Sequence, residues 1–112
     1  MDLVSVIIPT YNRFKHLVNA IDSVKKQTYK NIEIIVVNDC SEEEEYYTYQ
    51  FSPDIKLINL EQNSKKIYGY ACAAYTRNVG VENSNGKYIA FLDDDDSWLP
   101  NKISLQLEAL NS

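Results

Sequence analysis

Apolar residues in this chain fall into short unbroken runs, separated by stretches in which they recur every three or four positions. Leu3-Val4-Ser5-Val6-Ile7-Ile8 is a largely β-branched run closed by Pro9, the pattern of a strand buried on both faces. The turn Pro9-Thr10-Tyr11-Asn12 follows, with Asn12 expected as the N-cap of a helix. From Arg13 to about Gln27, Phe14, Leu17, Val18, Ile21 and Val24 share one helical stripe, and His16 falls off it into solvent. Ile32 to Val37 is a second strand, ending in Asn38-Asp39-Cys40-Ser41. Glu42 to Gln50, rich in glutamate and tyrosine, reads as a poorly anchored surface helix. Ile55 to Leu60 alternates as a third, more exposed strand, and Glu61 to Tyr68 reads as a polar loop. An alanine-rich helix is expected from Gly69 or Tyr70 to about Glu82, then a turn at Asn83-Ser84-Asn85-Gly86 in which Gly86 suits a positive φ. Lys87 to Leu92 is a fourth strand, and Pro100 opens a last helix with Ile103, Leu107 and Leu110 on one face.

Four repeats of strand then helix imply an α/β fold, a mainly parallel four-stranded sheet flanked by helices. With the usual strand order 3-2-1-4, the first and fourth strands are neighbours, and the loops at the carboxyl ends converge on one crevice. Those loops are where the polar chemistry lies. The fourth strand ends in Asp93-Asp94-Asp95-Asp96, four adjacent charges that ask for a counter-charge. Strand-like alternation would send Asp93 and Asp95 to one side, where they could share a divalent cation such as Mg²⁺ or Mn²⁺. A tyrosine face, an aspartate acceptor and a cation on carboxylates suit a base, its imino proton and a diphosphate.

Composition narrows the partners. The 112 residues make one domain with a net charge of −5. Basic residues cluster no further than Lys25-Lys26 and Lys65-Lys66, which argues against a nucleic-acid backbone as partner. Cys40 and Cys72 are too far apart for a metal-binding pair and read as reduced thiols of a cytoplasmic protein. No apolar run approaches the length of a membrane span.

Four stretches, taken together and in order, resemble the N-terminal half of a family 2 glycosyltransferase with the GT-A fold. They are VSVIIPTYNR, the VVNDCS run where the family has V-V-D-D-G-S, the TRNVG run where it has A-R-N-x-G, and NGKYIAFLDDDDSWLPNKI with its D-x-D region. The resemblance covers nearly the whole chain. It implies a Rossmann-like, donor-binding portion spanning residues 1–112, with the acceptor half absent. It also implies transfer of a sugar from a nucleoside diphosphate sugar, preferably a UDP-sugar, to an acceptor hydroxyl, with inversion and with Mn²⁺ or Mg²⁺. By position, Pro9, Thr10 and Tyr11 would cradle or stack on the base, and Asp39 would accept a hydrogen bond from the uracil ring. Arg77 would lie near the base or diphosphate, and Asp93 or Asp94 would reach the ribose or, through water, the metal. Asp95 would be the direct metal ligand.

This sequence departs from the family at several points. Cys40 stands where the family has glycine, so that turn must avoid a positive φ or tolerate it. Asn38 replaces the first aspartate of the pair. Tyr68, Tyr70 and Tyr75 read as partly buried fillers and Trp98 as packing beneath the acidic loop. The family's general base and acceptor wall belong to its second half. No catalytic residue is therefore assigned within the chain: the general base is expected beyond Ser112, and the chain by itself should bind donor without completing transfer. A glycan or lipid-linked acceptor, and a peripheral place at the inner face of a membrane, are expected of the intact enzyme. The alternatives are a non-catalytic nucleotide-binding module or a structural module that self-associates through an uncovered sheet edge. A receiver domain would need its acid pair after the first strand, and a nucleotidyltransferase a glycine-rich basic loop there; Pro9-Thr10-Tyr11 is neither.

Overall fold

A computed structural model of the chain describes residues 1–65 and 73–111. The elements are β1 (Val4–Thr10), α1 (Phe14–Lys25), β2 (Ile32–Asn38), α2 (Glu45–Thr48), β3 (Ile55–Asn59), α3 (Ala73–Glu82), β4 (Tyr88–Phe91) and α4 (Lys102–Asn111). The strands form one parallel sheet in the order β3-β2-β1-β4, as the alternation of strands and helices implies. β1 runs through Pro9 to Thr10, two residues beyond the expected end. Pro9 is tolerated because it lies past Ile7, the last β1 residue paired with β4. The start expected for the third helix, Gly69 or Tyr70, lies outside the described residues, as do Tyr68 and Cys72. Ser112, beyond which the general base is expected, lies outside them too.

The period-two alternation of β1 sends its side chains to two unequal layers. Val4, Val6 and Ile8 join Leu17, Ala20, Ile21 and Val24 of α1, Ile34 and Val36 of β2 and Ile103 of α4 in the main core. Each such apolar side chain, once buried, contributes roughly 1.5–3 kcal/mol. Ile7, Ile35 and Val37 face the opposite way, under Val79 of α3. Here the helix comes very close. A Cβ built on Gly80 would lie 2.4 Å from Cγ2 of Ile7, so only glycine lets α3 sit against β1 at this height and carry Arg77 to the sheet's carboxyl end.

Three expectations are corrected. Gly86 is glycine through close approach and not through a positive φ: its Cβ would meet Ser5 at 2.5 Å from Oγ. Leu110 leaves the buried face of α4 and is exposed, whereas Ile103 is buried and Leu107 packs on the core. The segment expected to be loosely held is instead anchored. Its helix is a single turn, and Tyr46 within it is 1% exposed and packs edge-on against Phe14 at 5.3 Å between centroids.

Opposite the cleft end of the sheet, Glu33 fastens the turn that precedes β4. Its carboxylate accepts from the Ser5 hydroxyl at 2.6 Å and from the Asn85 backbone N–H at 2.9 Å, and Ser5 Oγ in turn accepts from the Gly86 N–H at 2.8 Å. Burial alone would raise the Glu33 carboxyl, but these donors, the Asn85 amide and nearby Lys56 hold it below the ordinary value of 4.5. A lowered folded-state value means that stabilisation is complete above 4.5 and is lost as pH falls through the lowered value. In urea unfolding across pH, Glu33→Gln should therefore be less stable than wild type at neutral pH, with the gap closing under acid. Gly80→Ala should cost about 1–3 kcal/mol in the same assay, and a gain in stability would contradict the close approach of α3.

Candidate functional site

The carboxyl ends of β1, β2 and β4 and the start of α3 open on a cleft of about 580 Å³. Pro9, Thr10, Tyr11, Asp39, Arg77, Asp93, Asp94 and Asp95, all singled out from the sequence, line it. Asn12, Arg13, Ser64 and Thr76 line it as well.

The loop after β1 is held by the loop after β2. Asn12 does not cap α1: it sits at φ 48°, and its Oδ1 accepts from the backbone N–H groups of Glu42 and Glu43 at 2.7 and 3.2 Å. Glu43 Oε1 reciprocates by accepting from the Phe14 N–H at 3.1 Å, satisfying a donor at the start of α1. The Tyr46 hydroxyl shares a 2.6 Å hydrogen bond with Thr10 Oγ1 and accepts from the Arg13 N–H at 2.9 Å. Burial pushes the Tyr46 phenol above its ordinary value, so it stays neutral. The Thr10 hydroxyl is thus tied to the buried Tyr46, and Tyr11 is 42% exposed at the mouth of the cleft.

At the end of β2, Asn38 is buried; its amide donates to Asn59 Oδ1 at 2.9 Å and its Oδ1 accepts from the Ser41 N–H at 3.0 Å. Asp39 is nearly buried and is gripped by one residue: the Ser64 N–H donates to Oδ1 at 2.8 Å and the Ser64 hydroxyl to Oδ2 at 2.7 Å. Cys40 then adopts φ 56°, so the turn tolerates the left-handed conformation where a glycine would be unstrained. That turn delivers Ser41 Oγ to the Asn12 N–H at 3.0 Å.

The acidic run does not alternate as an extended chain would. A turn closed by the Asp96 N–H on the Asp93 carbonyl at 3.0 Å brings Asp96 to the same side as Asp93 and Asp95. One oxygen from each of the three lies within 4.8 Å of the others, a set of hard ligands that suits a divalent cation. Asp94 points inward, accepting from the Tyr11 N–H at 3.4 Å. Burial raises the Asp94 carboxyl and Asp95 adds to the rise, partly offset by Thr10, the Tyr11 N–H and Arg13. Two guanidinium groups answer the cluster. Arg13 Nη1 lies 3.0 Å from Asp95 Oδ2 and 3.5 Å from Asp94 Oδ1, and Arg77 Nη2 lies 3.4 Å from Asp93 Oδ1. Arg77 also packs over the Phe91 ring at 5.7 Å, and its Nε is buried with no hydrogen-bond partner among the described residues.

Tyr75 is half-buried and Trp98 packs on the main core, as expected of fillers. Sequence reasoning did not single out Arg13, Ser64, Thr76 or Asp96. Arg13 carried a signal, since it ends the PTYNR stretch; Ser64 carried none.

The Glycosyl transferase family 2 model matches residues 5–112. The chain is 47% identical over 105 residues to a glycosyltransferase of Rickettsia bellii, covering 94% of this chain and 14% of that one. It is 38% identical over 112 residues to the UDP-Glc:α-D-GlcNAc-diphosphoundecaprenol β-1,3-glucosyltransferase WfaP of Escherichia coli, covering 100% of this chain and 43% of WfaP. Among solved structures, S. aureus TarS 1–349 in complex with UDP superposes with a TM-score of 0.78 at 28% identity, over 99% of this chain and 32% of that one. Its complex with UDP-GlcNAc gives 0.70 at 32% identity, over 98% of this chain and 30% of that one. The chain thus spans under half the length of each of these proteins, and its sheet is the Rossmann-like half of the GT-A fold.

The left-handed Cys40 gives a test confined to the backbone. Cys40→Gly and Cys40→Ala both lose the thiol, but only glycine relieves the strain, so the glycine variant should be the more stable by about 1 kcal/mol in urea unfolding. Equal stabilities would mean that the turn is unstrained.

Proposed function

This chain belongs to glycosyl transferase family 2, and on that premise we propose that its cleft binds a nucleoside diphosphate sugar together with a divalent cation. One observation carries the reading: the exposed Tyr11 ring, the buried Asp39 acceptor and the clustered Asp93, Asp95 and Asp96 open on the same crevice or its rim. The Tyr11 ring offers a face for the base and Asp39 an acceptor for a ring N–H. Asp94, or the Asp93 carboxylate, would reach the ribose. Asp95 is the ligand best set for the cation, supported by Asp93 and Asp96. Mn²⁺ or Mg²⁺ held there would neutralise charge developing on the departing diphosphate. Arg77, whose Nη2 holds Asp93 in a long ion pair at 3.4 Å, can turn its guanidinium fork toward the diphosphate. Uridine is the base we assign, on the UDP and UDP-GlcNAc complexes of TarS and the UDP-glucose named for WfaP.

Transfer itself we read as a direct displacement with inversion, to a glycan acceptor or a lipid-linked one of the kind named for WfaP; the intact enzyme we read as peripheral to the membrane. Among the described residues, the carboxylates lining the cleft are Asp39, Asp93, Asp94 and Asp95, and we assign them to the donor side. The base that deprotonates the acceptor we take to lie beyond Ser112, where the family resemblance places it. We accordingly read the 112 residues as competent for donor binding and not for turnover.

Titration calorimetry of UDP, with Mn²⁺ and again with excess chelator, tests the reading. UDP should bind with Mn²⁺ and lose at least about tenfold in affinity (roughly 1.4 kcal/mol) in chelator or in Asp95→Ala. Binding that ignores both changes would remove the cation from the site, and no binding by folded protein would remove the nucleotide. Sugar transfer by the 112-residue chain to any acceptor would overturn the division of labour.

A further inference from the structure

The Asp39 carboxylate is held in a way the donor reading does not require. Its two oxygens each receive one donor from the same residue: the Ser64 N–H reaches Oδ1 at 2.8 Å and the Ser64 hydroxyl reaches Oδ2 at 2.7 Å. Ser64 is 1% exposed and belongs to the chain after β3, far from Asp39 in sequence. That chain is itself fastened to the end of β2. The Asn63 side-chain amide donates to the Asp39 carbonyl at 2.9 Å, and the Leu60 N–H donates to the Asn38 carbonyl at 3.0 Å. An aspartate χ2 is ordinarily broad and roughly two-fold. Two donors from one residue, one on each oxygen, instead set the plane of the carboxylate at the wall of the cleft.

We propose that Ser64 is a specificity-determining positioning residue: by orienting the Asp39 carboxylate it selects nucleobases that present a ring N–H to the cleft over those that present a ring acceptor. The inference rests on the reading of Asp39 as the base acceptor and goes further by naming what makes that acceptor selective. An ionised carboxylate can only accept. The imide of uracil offers it a ring N–H, whereas cytosine offers an unprotonated ring nitrogen whose lone pair faces the carboxylate. Discrimination of this kind is large only when the protein group is fixed, because a carboxylate free to rotate turns away from the wrong base at little cost. The Ser64 backbone N–H survives every substitution but proline, so the hydroxyl is the separable half of the grip.

The test is the ratio of UDP to CDP affinity, measured by calorimetry with Mn²⁺ present throughout. The two ligands share ribose and diphosphate, so effects on the acidic loop cancel in the ratio. Wild type should prefer UDP. Ser64→Ala should bind UDP at least about fivefold more weakly while CDP changes little, lowering the ratio; Ser64→Thr, which keeps the hydroxyl, should restore it. Ser64→Cys, near in size but a weak donor, should also lower the ratio and covers the case in which Ser64→Ala fails to fold. A wild-type ratio retained in any folded Ala or Cys variant overturns the role of Ser64, as does an equal loss for both nucleotides, which would mark a structural effect. A wild type that binds UDP and CDP equally would instead remove Asp39 as the base acceptor, and the proposal with it.

Discussion

Backbone donors and acceptors at the carboxyl end of a buried parallel sheet must find partners, because the ladders stop there while burial continues. In this chain the partners come from side chains in neighbouring loops, and that requirement shapes the cleft. The Asn12 side chain closes the loop that holds Glu43, Glu43 closes the start of α1, and Tyr46 ties both to Thr10 and Arg13. Asn38 closes the turn that bears Cys40, and Ser64 reaches across to Asp39. Remove one of these and a polar group near the cleft is left without its partner, at a cost of about 1–3 kcal/mol where it is buried. The same bonds that finish the strands fix the positions of the groups facing solvent.

The layers of the fold were readable from hydrophobic period. The run from Val4 to Ile8 could only be a strand buried on both faces, and the stripe from Phe14 to Val24 could only be a helix with one face inward. Once the strands were parallel and the order 3-2-1-4, the crevice and the residues at three strand ends followed from topology. What could not be read were contacts between segments distant in sequence. Glu42–Gln50 has the composition of a solvated face, and nothing local shows that Tyr46 turns into the core. Ser64 sits in a polar stretch indistinguishable from a loop until β2 and β3 are paired. Asp96 joins Asp93 and Asp95 because a turn overrides strand alternation, and local sequence favours either.

The electrostatics of the cleft are a balance between crowded acids and two arginines. Arg13 arrives from the loop before α1 and Arg77 from α3, each against different carboxylates of the acidic turn. All of these side chains except Asp94 are substantially exposed, so the pairs contribute little to stability. Their effect is to lower the local repulsion among neighbouring aspartates while remaining exchangeable. A cleft arranged this way can trade one set of ionic partners for another without unfolding the turn, which is what a charged ligand entering it requires.

The outer side of the sheet's β4 edge and the outer face of α4 leave Ile89, Phe91, Leu99, Leu105 and Leu110 exposed on one stretch of chain. At neutral pH the net charge of −5 keeps separate molecules apart in spite of them. As carboxylates protonate that charge reaches zero near pH 4.7, while Glu33, held below its ordinary value, still keeps its fastening. Colloidal repulsion therefore fails before that fastening does. The chain's solubility limit lies on the acid side, set by apolar side chains that do not line the cleft.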